Sequence, residues 1–186
     1  MIRALAMALG LPMVAQAEPP RLPFDVGGAY SLTDQHGTHR TQADPNRNAQ
    51  LLFFGYANCL QICSAALPLI ADIADELAGQ GLAVTPVMIT VDPTRDTVAD
   101  IGPPLARLHP DFIGLTGTPD QLQLAYDAFS VEITHVFDDP EYGPIFAHGS
   151  FIYLLDGTGA VLSLLPPILS VDQASAIART HLAAAG

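Results

Sequence analysis

The chain has 186 residues, 49% of them hydrophobic and 14% charged, with a formal net charge of -12 at pH 7. That hydrophobic content excludes a disordered chain. The acidity, with arginine supplying all seven basic residues, argues against a protein that grips phosphate backbones. A chain of this length can bury a real core, so its two cysteines are not needed as structural staples.

Arg3 provides a short positive region, and an apolar run follows over 4–14. Ala15-Gln16-Ala17 then places small residues where a signal peptidase reads them. The expectation is a signal peptide over 1–17, cut after Ala17, and export. A membrane anchor is the weaker reading, because a span needs roughly 20 apolar residues and Pro12 interrupts this run. Residues 18–28, with several prolines, read as a flexible N-terminal arm, and 29–186 as one domain.

Within that domain, 29–33 and 38–41 read as strands around an Asp34-Gln35-His36-Gly37 turn. The unbroken apolar run in 49–55 predicts a strand buried on both faces. A helix is expected from Asn58 or Cys59 to about Ala78, with Leu67, Ile70, Ile73, Ala74 and Leu77 at helical spacing. A second buried strand follows over 82–91, although Pro86 removes a ladder donor there. Residues 97–108 look helical but are disturbed by Gly102-Pro103-Pro104. A short strand over 113–115 precedes a helix with Thr118 as N-cap and Pro119 at its first position, running to about Phe129. Residues 131–137 are expected to be extended and 138–144 to form an acidic loop. Asp156-Gly157-Thr158-Gly159 marks a hairpin between 150–155 and 160–164, and 171–184 an amphipathic helix. Alternating strands and helices closed by a hairpin predict an α/β sandwich on a mixed sheet.

Cys59-Leu60-Gln61-Ile62-Cys63 is the strongest local signal. Four residues apart at a helix start, the Cβ atoms lie roughly 5–6 Å from each other, so both sulfurs can meet one ion or each other. The helix N-terminus stabilises thiolate, the form that binds soft metals and attacks disulfides. Spacing alone leaves copper(I) ligation, redox chemistry and a structural disulfide open. Their place after a long buried strand is the thioredoxin-like one.

The segment 53–63, Phe-Phe-Gly-Tyr-Ala-Asn-Cys-Leu-Gln-Ile-Cys, resembles the aromatic-Gly-Tyr-x-x-Cys-Pro-x-x-Cys segment of the Sco (SenC/PrrC) family. Val91-Asp92-Pro93-Thr94-Arg95-Asp96-Thr97 resembles its Val-Asp-Pro-x-Arg-Asp-Thr block, Gly114-Leu115-Thr116-Gly117-Thr118 its Gly-Leu-Thr-Gly-Thr block, and 148–156 its His-Ser-x-x-Ile-Tyr-Leu segment. The blocks stand in the family's order, and the resemblance covers 27–181.

The resemblance implies a thioredoxin-like fold with an N-terminal β-hairpin. It also implies one copper site formed by Cys59, Cys63 and His148, with copper(I) favoured and copper(II) possible. The implied role is a periplasmic metallochaperone, not an enzyme, for the CuA centre of cytochrome c oxidase. Its partners would be oxidase subunit II or another cuproprotein, and a further periplasmic copper chaperone. The other reading is a thiol–disulfide oxidoreductase that uses Cys59 and Cys63 alone. Leu60, Gln61 and Ser64 stand where the family has proline, aspartate and proline, and Ala147 where an aspartate precedes the histidine. The lost carboxylates predict weaker copper(II) binding. A Gln61→Asp, Ala147→Asp variant with no higher copper(II) affinity would refute this.

The remaining histidines carry plainer expectations. His36 and His39 are placed on a hairpin surface, with a weak second metal site as the alternative. His109 is expected in a loop, His181 near a helix end and His135 beside the acidic loop. Asp92, Arg95 and Asp96 are expected to cap the next helix and to pair locally.

Overall fold

The computed structural model describes residues 22–57 and 63–185, and only the backbone of Cys63 and Ser64. The expected signal peptide and the expected helix start at Asn58 or Cys59 lie outside the described residues. In chain order the elements are β1 (Leu32–Asp34), β2 (His39–Arg40), β3 (Ala49–Gly55), α1 (Cys63–Gly79), β4 (Val84–Thr90), α2 (Gly102–Ala106), β5 (Ile113–Thr116), α3 (Pro119–Ala128), β6 (Thr134–Asp139), β7 (Gly143–Ala147), β8 (Ile152–Leu155), β9 (Val161–Leu165) and α4 (Val171–Ala185).

Seven strands form a mixed sheet in the order β2-β1-β5-β4-β3-β8-β9, and β6 and β7 form a separate ribbon. The apolar run places β3 inside the sheet, parallel to β4 and antiparallel to β8, and all seven of its residues are buried. β4 tolerates Pro86 because its pairing with β5 begins only at Val87. Phe54 packs against Phe129, Tyr126 and Tyr153 with ring centroids 5.5, 6.0 and 5.8 Å apart. Each tilted or edge-on pair of this kind adds about 1 kcal/mol beyond its burial. The Tyr126 and Tyr153 hydroxyls donate to the carbonyls of Thr90 and Phe129, so neither polar tip is stranded in the core. By strand alternation Phe53 points to the opposite face. α1 packs against β3, β4 and α4 through Leu67, Ile70, Ile73 and Leu77, all buried. The result is the α/β, thioredoxin-like sandwich that was expected, with the β1–β2 hairpin preceding it.

Two expected elements come out differently. The 97–108 helix shrinks to α2, because Pro103 and Pro104 fit only the first turn of a helix; the residues before it form a turn on the Thr97 carbonyl. The acidic loop over 138–144 is largely paired: Asp138 faces Pro144 and Asp139 faces Gly143 across β6 and β7. Asp139 closes the turn by accepting from the amides of Glu141 and Tyr142, and Gly143 takes the positive φ of 73° that a side chain disfavours. The Thr118 cap is as expected, strengthened into a capping box with Gln121.

Candidate metal centre

β3 and β4 run parallel while β8 runs against β3, so the carboxyl ends of the first two meet the start of the third at one edge of the sheet. Crevices outside the carboxyl ends of strands are where open α/β sheets hold ligands. Three pieces of chain converge there. β3 leads to Tyr56 and Ala57, two residues before Cys59; β4 leads to Asp92, Arg95 and Asp96; and β7 leads through His148 toward β8.

His148 is half-buried, its ring edge-on to Phe53 at 5.8 Å and to Tyr56 at 6.3 Å. Its Nδ1 lies 2.9 Å from the Gly149 carbonyl oxygen. A carbonyl only accepts, so Nδ1 carries the proton and the lone pair of the neutral ring is on Nε2. A second-nitrogen hydrogen bond to a carbonyl is also how metal-bound histidines are oriented. Phe53 reaches His148 because Gly55 has no side chain: a Cβ on Gly55 would sit 2.6 Å from the Phe53 ring. The Phe-Phe-Gly-Tyr order of the sequence is therefore a packing requirement of this edge.

Of the three expected ligands, only His148 has a described side chain. Cys59 lies outside the described residues, and Cys63 opens the described part of α1. His148 does have the chemistry of a ligand imidazole, and two thiolates with one imidazole suit copper(I).

Asp92, Arg95 and Asp96 need a correction. α2 has Ile101 at its N-cap with no side-chain bond, so none of the three caps it. Only the Asp92–Arg95 ion pair is local. Asp96 Oδ2 instead accepts from the Ala57 amide at 3.0 Å and the Thr90 hydroxyl at 2.7 Å, which ties the chain leading to Cys59 to the end of β4. Burial pushes the Asp96 carboxyl above its usual range, outweighing the Thr90 and Ala57 bonds, and nearby Asp92 adds to the rise. Arg95 donates to the carbonyls of Tyr142 and Pro144 in the β6–β7 turn, and its guanidinium stands 5.2 Å from the Tyr56 ring centroid. Nothing in the local sequence signals these long reaches: Tyr56 stands out only as a member of a resembling block, and Arg95 as a member of another and as an expected local partner of Asp92 and Asp96.

The other histidines lie apart from this edge or at its rim. His39 is exposed on β2, and the backbone amide of His36 donates to Asp34. His109 accepts from the Asp111 amide on Nδ1 and so presents Nε2–H to Asp75 at 3.3 Å. His135 contacts Asp138 at 3.0 Å and packs on Phe146 at 5.7 Å. Among the described residues no three His, Cys, Asp or Glu gather in a way that could hold a metal ion, so His36 and His39 acquire no second site there. Two clefts of about 590 and 650 Å³ lie away from this edge, beside His181 and beside His36 and His109.

The family model described as SCO1/SenC matches residues 18–183. A "SCO2-like protein" of Rickettsia felis is 36% identical over 140 residues, which is 74% of this chain and 67% of the relative. The "Protein SCO2 homolog, mitochondrial" of Bos taurus is 33% identical over 159 residues, 84% of this chain and 60% of that protein. Among solved structures, Arabidopsis thaliana ScoI with copper bound superposes with a TM-score of 0.79 at 26% identity, covering 85% of this chain and 98% of that one. No helix among the described residues is long and apolar enough to cross a membrane.

Proposed function

The chain belongs to the SCO1/SenC family, and from that premise we propose that it is an exported copper-binding protein that serves cytochrome c oxidase assembly in the periplasm. The observation that carries this reading is His148. It sits at the carboxyl edge of the sheet, it is edge-on to the rings of Phe53 and Tyr56, and its lone pair is set on Nε2 by the Gly149 carbonyl. Support also comes from the Arabidopsis relative, whose structure holds copper.

In this reading copper is cargo. Cys59 and Cys63 supply thiolates that favour copper(I), and the imidazole of His148 adds a borderline donor that lets the same site accept copper(II). Two thiolates from one short segment plus one residue from another part of the chain give a site that opens when either part moves. Cargo must leave for a client such as oxidase subunit II, which such opening allows. The aromatic rings cover part of the imidazole, and the two positions where the family has aspartates carry Gln61 and Ala147, the latter exposed at the end of β7. Reducing the client's cysteines through the Cys59/Cys63 pair is the competing activity, since a CxxxC pair can close when its Cα atoms lie within about 7 Å.

Anaerobic titration of the reduced protein with copper(I) against a competing chelator tests the proposal. One tightly held copper, with affinity falling about tenfold or more in His148→Ala, is the expected result. Equal binding by the variant would remove His148 from the site and turn attention to the cysteine pair as a redox centre.

A further inference from the structure

The β6–β7 ribbon carries His148 at its end, yet it forms no ladder with the seven-stranded sheet. An isolated two-stranded hairpin is marginal by itself in water, so whatever ties it down decides where the imidazole stands. Two ties are visible. Phe146 of β7 packs edge-on against Tyr56 at 6.3 Å. At the other end of β7, the guanidinium of Arg95 reaches the carbonyls of Tyr142 and Pro144, the latter at 2.8 Å. Its Nε meanwhile bonds to Asp92, which is almost wholly buried beyond the end of β4. Asp92 is itself held, its amide donating to the Thr90 hydroxyl at 2.9 Å and its Oδ1 accepting from Thr94.

We propose that Arg95 is the positioning residue that sets His148 for copper. It spans from a buried carboxylate to two carbonyls of the ribbon, and its planar fork covers Tyr56, the ring against which His148 lies. From Pro144 the strand β7 runs directly to Ala147, the residue before His148, so fixing the turn fixes the strand's far end. A fork of donors in fixed geometry performs this task, and a point charge on a flexible stem does not. The contact is close: a Cβ on Gly143 would stand 3.1 Å from the guanidinium. This inference deepens the copper reading and rests on it for its purpose, but the geometry has a readout that needs no metal.

With the rings of Phe53 and Tyr56 edge-on at 5.8 and 6.3 Å, the His148 ring-proton resonances of the reduced, metal-free protein should be displaced from those of a solvated histidine. In Arg95→Ala those resonances should move toward values of a solvated histidine. Arg95→Lys should restore little of the shift. Copper(I) affinity should fall about tenfold in Arg95→Ala, and in a background already carrying His148→Ala the same change should have almost no further effect, as expected of coupled residues. Unmoved His148 resonances in Arg95→Ala, full rescue by lysine, or additive losses in the double variant would each overturn the proposal. If Arg95→Ala does not fold, Arg95→Gln takes its place, because it keeps part of the side-chain volume and removes the fork of donors. The same resonance change then supports the clamp and an unchanged spectrum overturns it. A parent protein that binds no copper defeats the copper reading alone, and the resonance measurement still decides the clamp.

Discussion

The two edges of the sheet are built by different means. At the edge away from the candidate site, Asp34, Asp44 and Asp156 each close their own turn, accepting from the amides two and four residues on: His36 and Thr38, Asn46 and Asn48, Thr158 and Ala160; Asp44 adds one long reach, accepting from the Thr85 hydroxyl at 2.8 Å. At the site edge the carboxylates and the guanidinium reach far along the chain, Asp96 to Ala57 and Arg95 to Tyr142 and Pro144. A local turn can form whenever its own residues are right. The site edge exists only after β3, β4 and the ribbon have come together. The far edge therefore contributes stability, and the near edge contributes stability and the placement of ligands at once.

The largest effect should come from breaking the far edge. Asp34 is buried, accepts from two amides and pairs with Arg40 at 2.7 Å. Asp34→Ala strands all of these donors and should cost about 3 kcal/mol, read as a lower urea midpoint, while copper affinity stays within about twofold of the parent. A copper loss matching the stability loss would show that the edges are not independent. Gly55→Ala probes the near edge. Forcing a methyl against the Phe53 ring should cost about 2 kcal/mol and, unlike Asp34→Ala, should weaken copper binding through His148. Unchanged copper binding with lowered stability would detach Phe53 from the site.

A smaller and subtler contrast lies in pH. Burial raises the Asp34 carboxyl, but the Arg40 bond and the amides of Thr38 and His36 outweigh it and hold the carboxyl below its usual value. Its stabilisation is thus complete above the unfolded value of about 3.9 and is lost as pH falls through the folded value. Asp96 has the opposite sign. Burial raises its folded value, so the folded chain holds the proton longer than the unfolded one, and stability declines as pH rises from about 4 through the folded value. Asp96→Asn should remove that decline. Urea midpoints from about pH 3 to about pH 7 check this: a parent and an Asp96→Asn curve of the same shape would contradict the sign given to Asp96.

Periodicity and turn chemistry made most of the fold legible. The bounds of β3, the Thr118 cap and the Asp156 hairpin follow from residues adjacent to one another, which is why they could be read. The β6–β7 ribbon could not, because Asp138 and Asp139 look like loop residues until the Arg95 guanidinium and the Asp139 turn give their neighbours partners. The same holds for the site. His148 stood out through a resembling block, whereas the ring stack of Phe53, Tyr56 and His148 and the reach of Arg95 are long-range facts without a local pattern. A glycine ending a fully buried strand implies a close approach, but nothing adjacent to Gly55 says that the Phe53 ring makes it.

Whether His148 is a metal ligand held in place is decided by the spectrum of the copper(II)-loaded protein. The parent should show thiolate-to-copper charge transfer together with nitrogen hyperfine coupling from one imidazole, and His148→Ala should lose the nitrogen coupling while keeping the thiolate band. An identical spectrum in His148→Ala would contradict the claim and leave His148 as a packing residue on Phe53 and Tyr56.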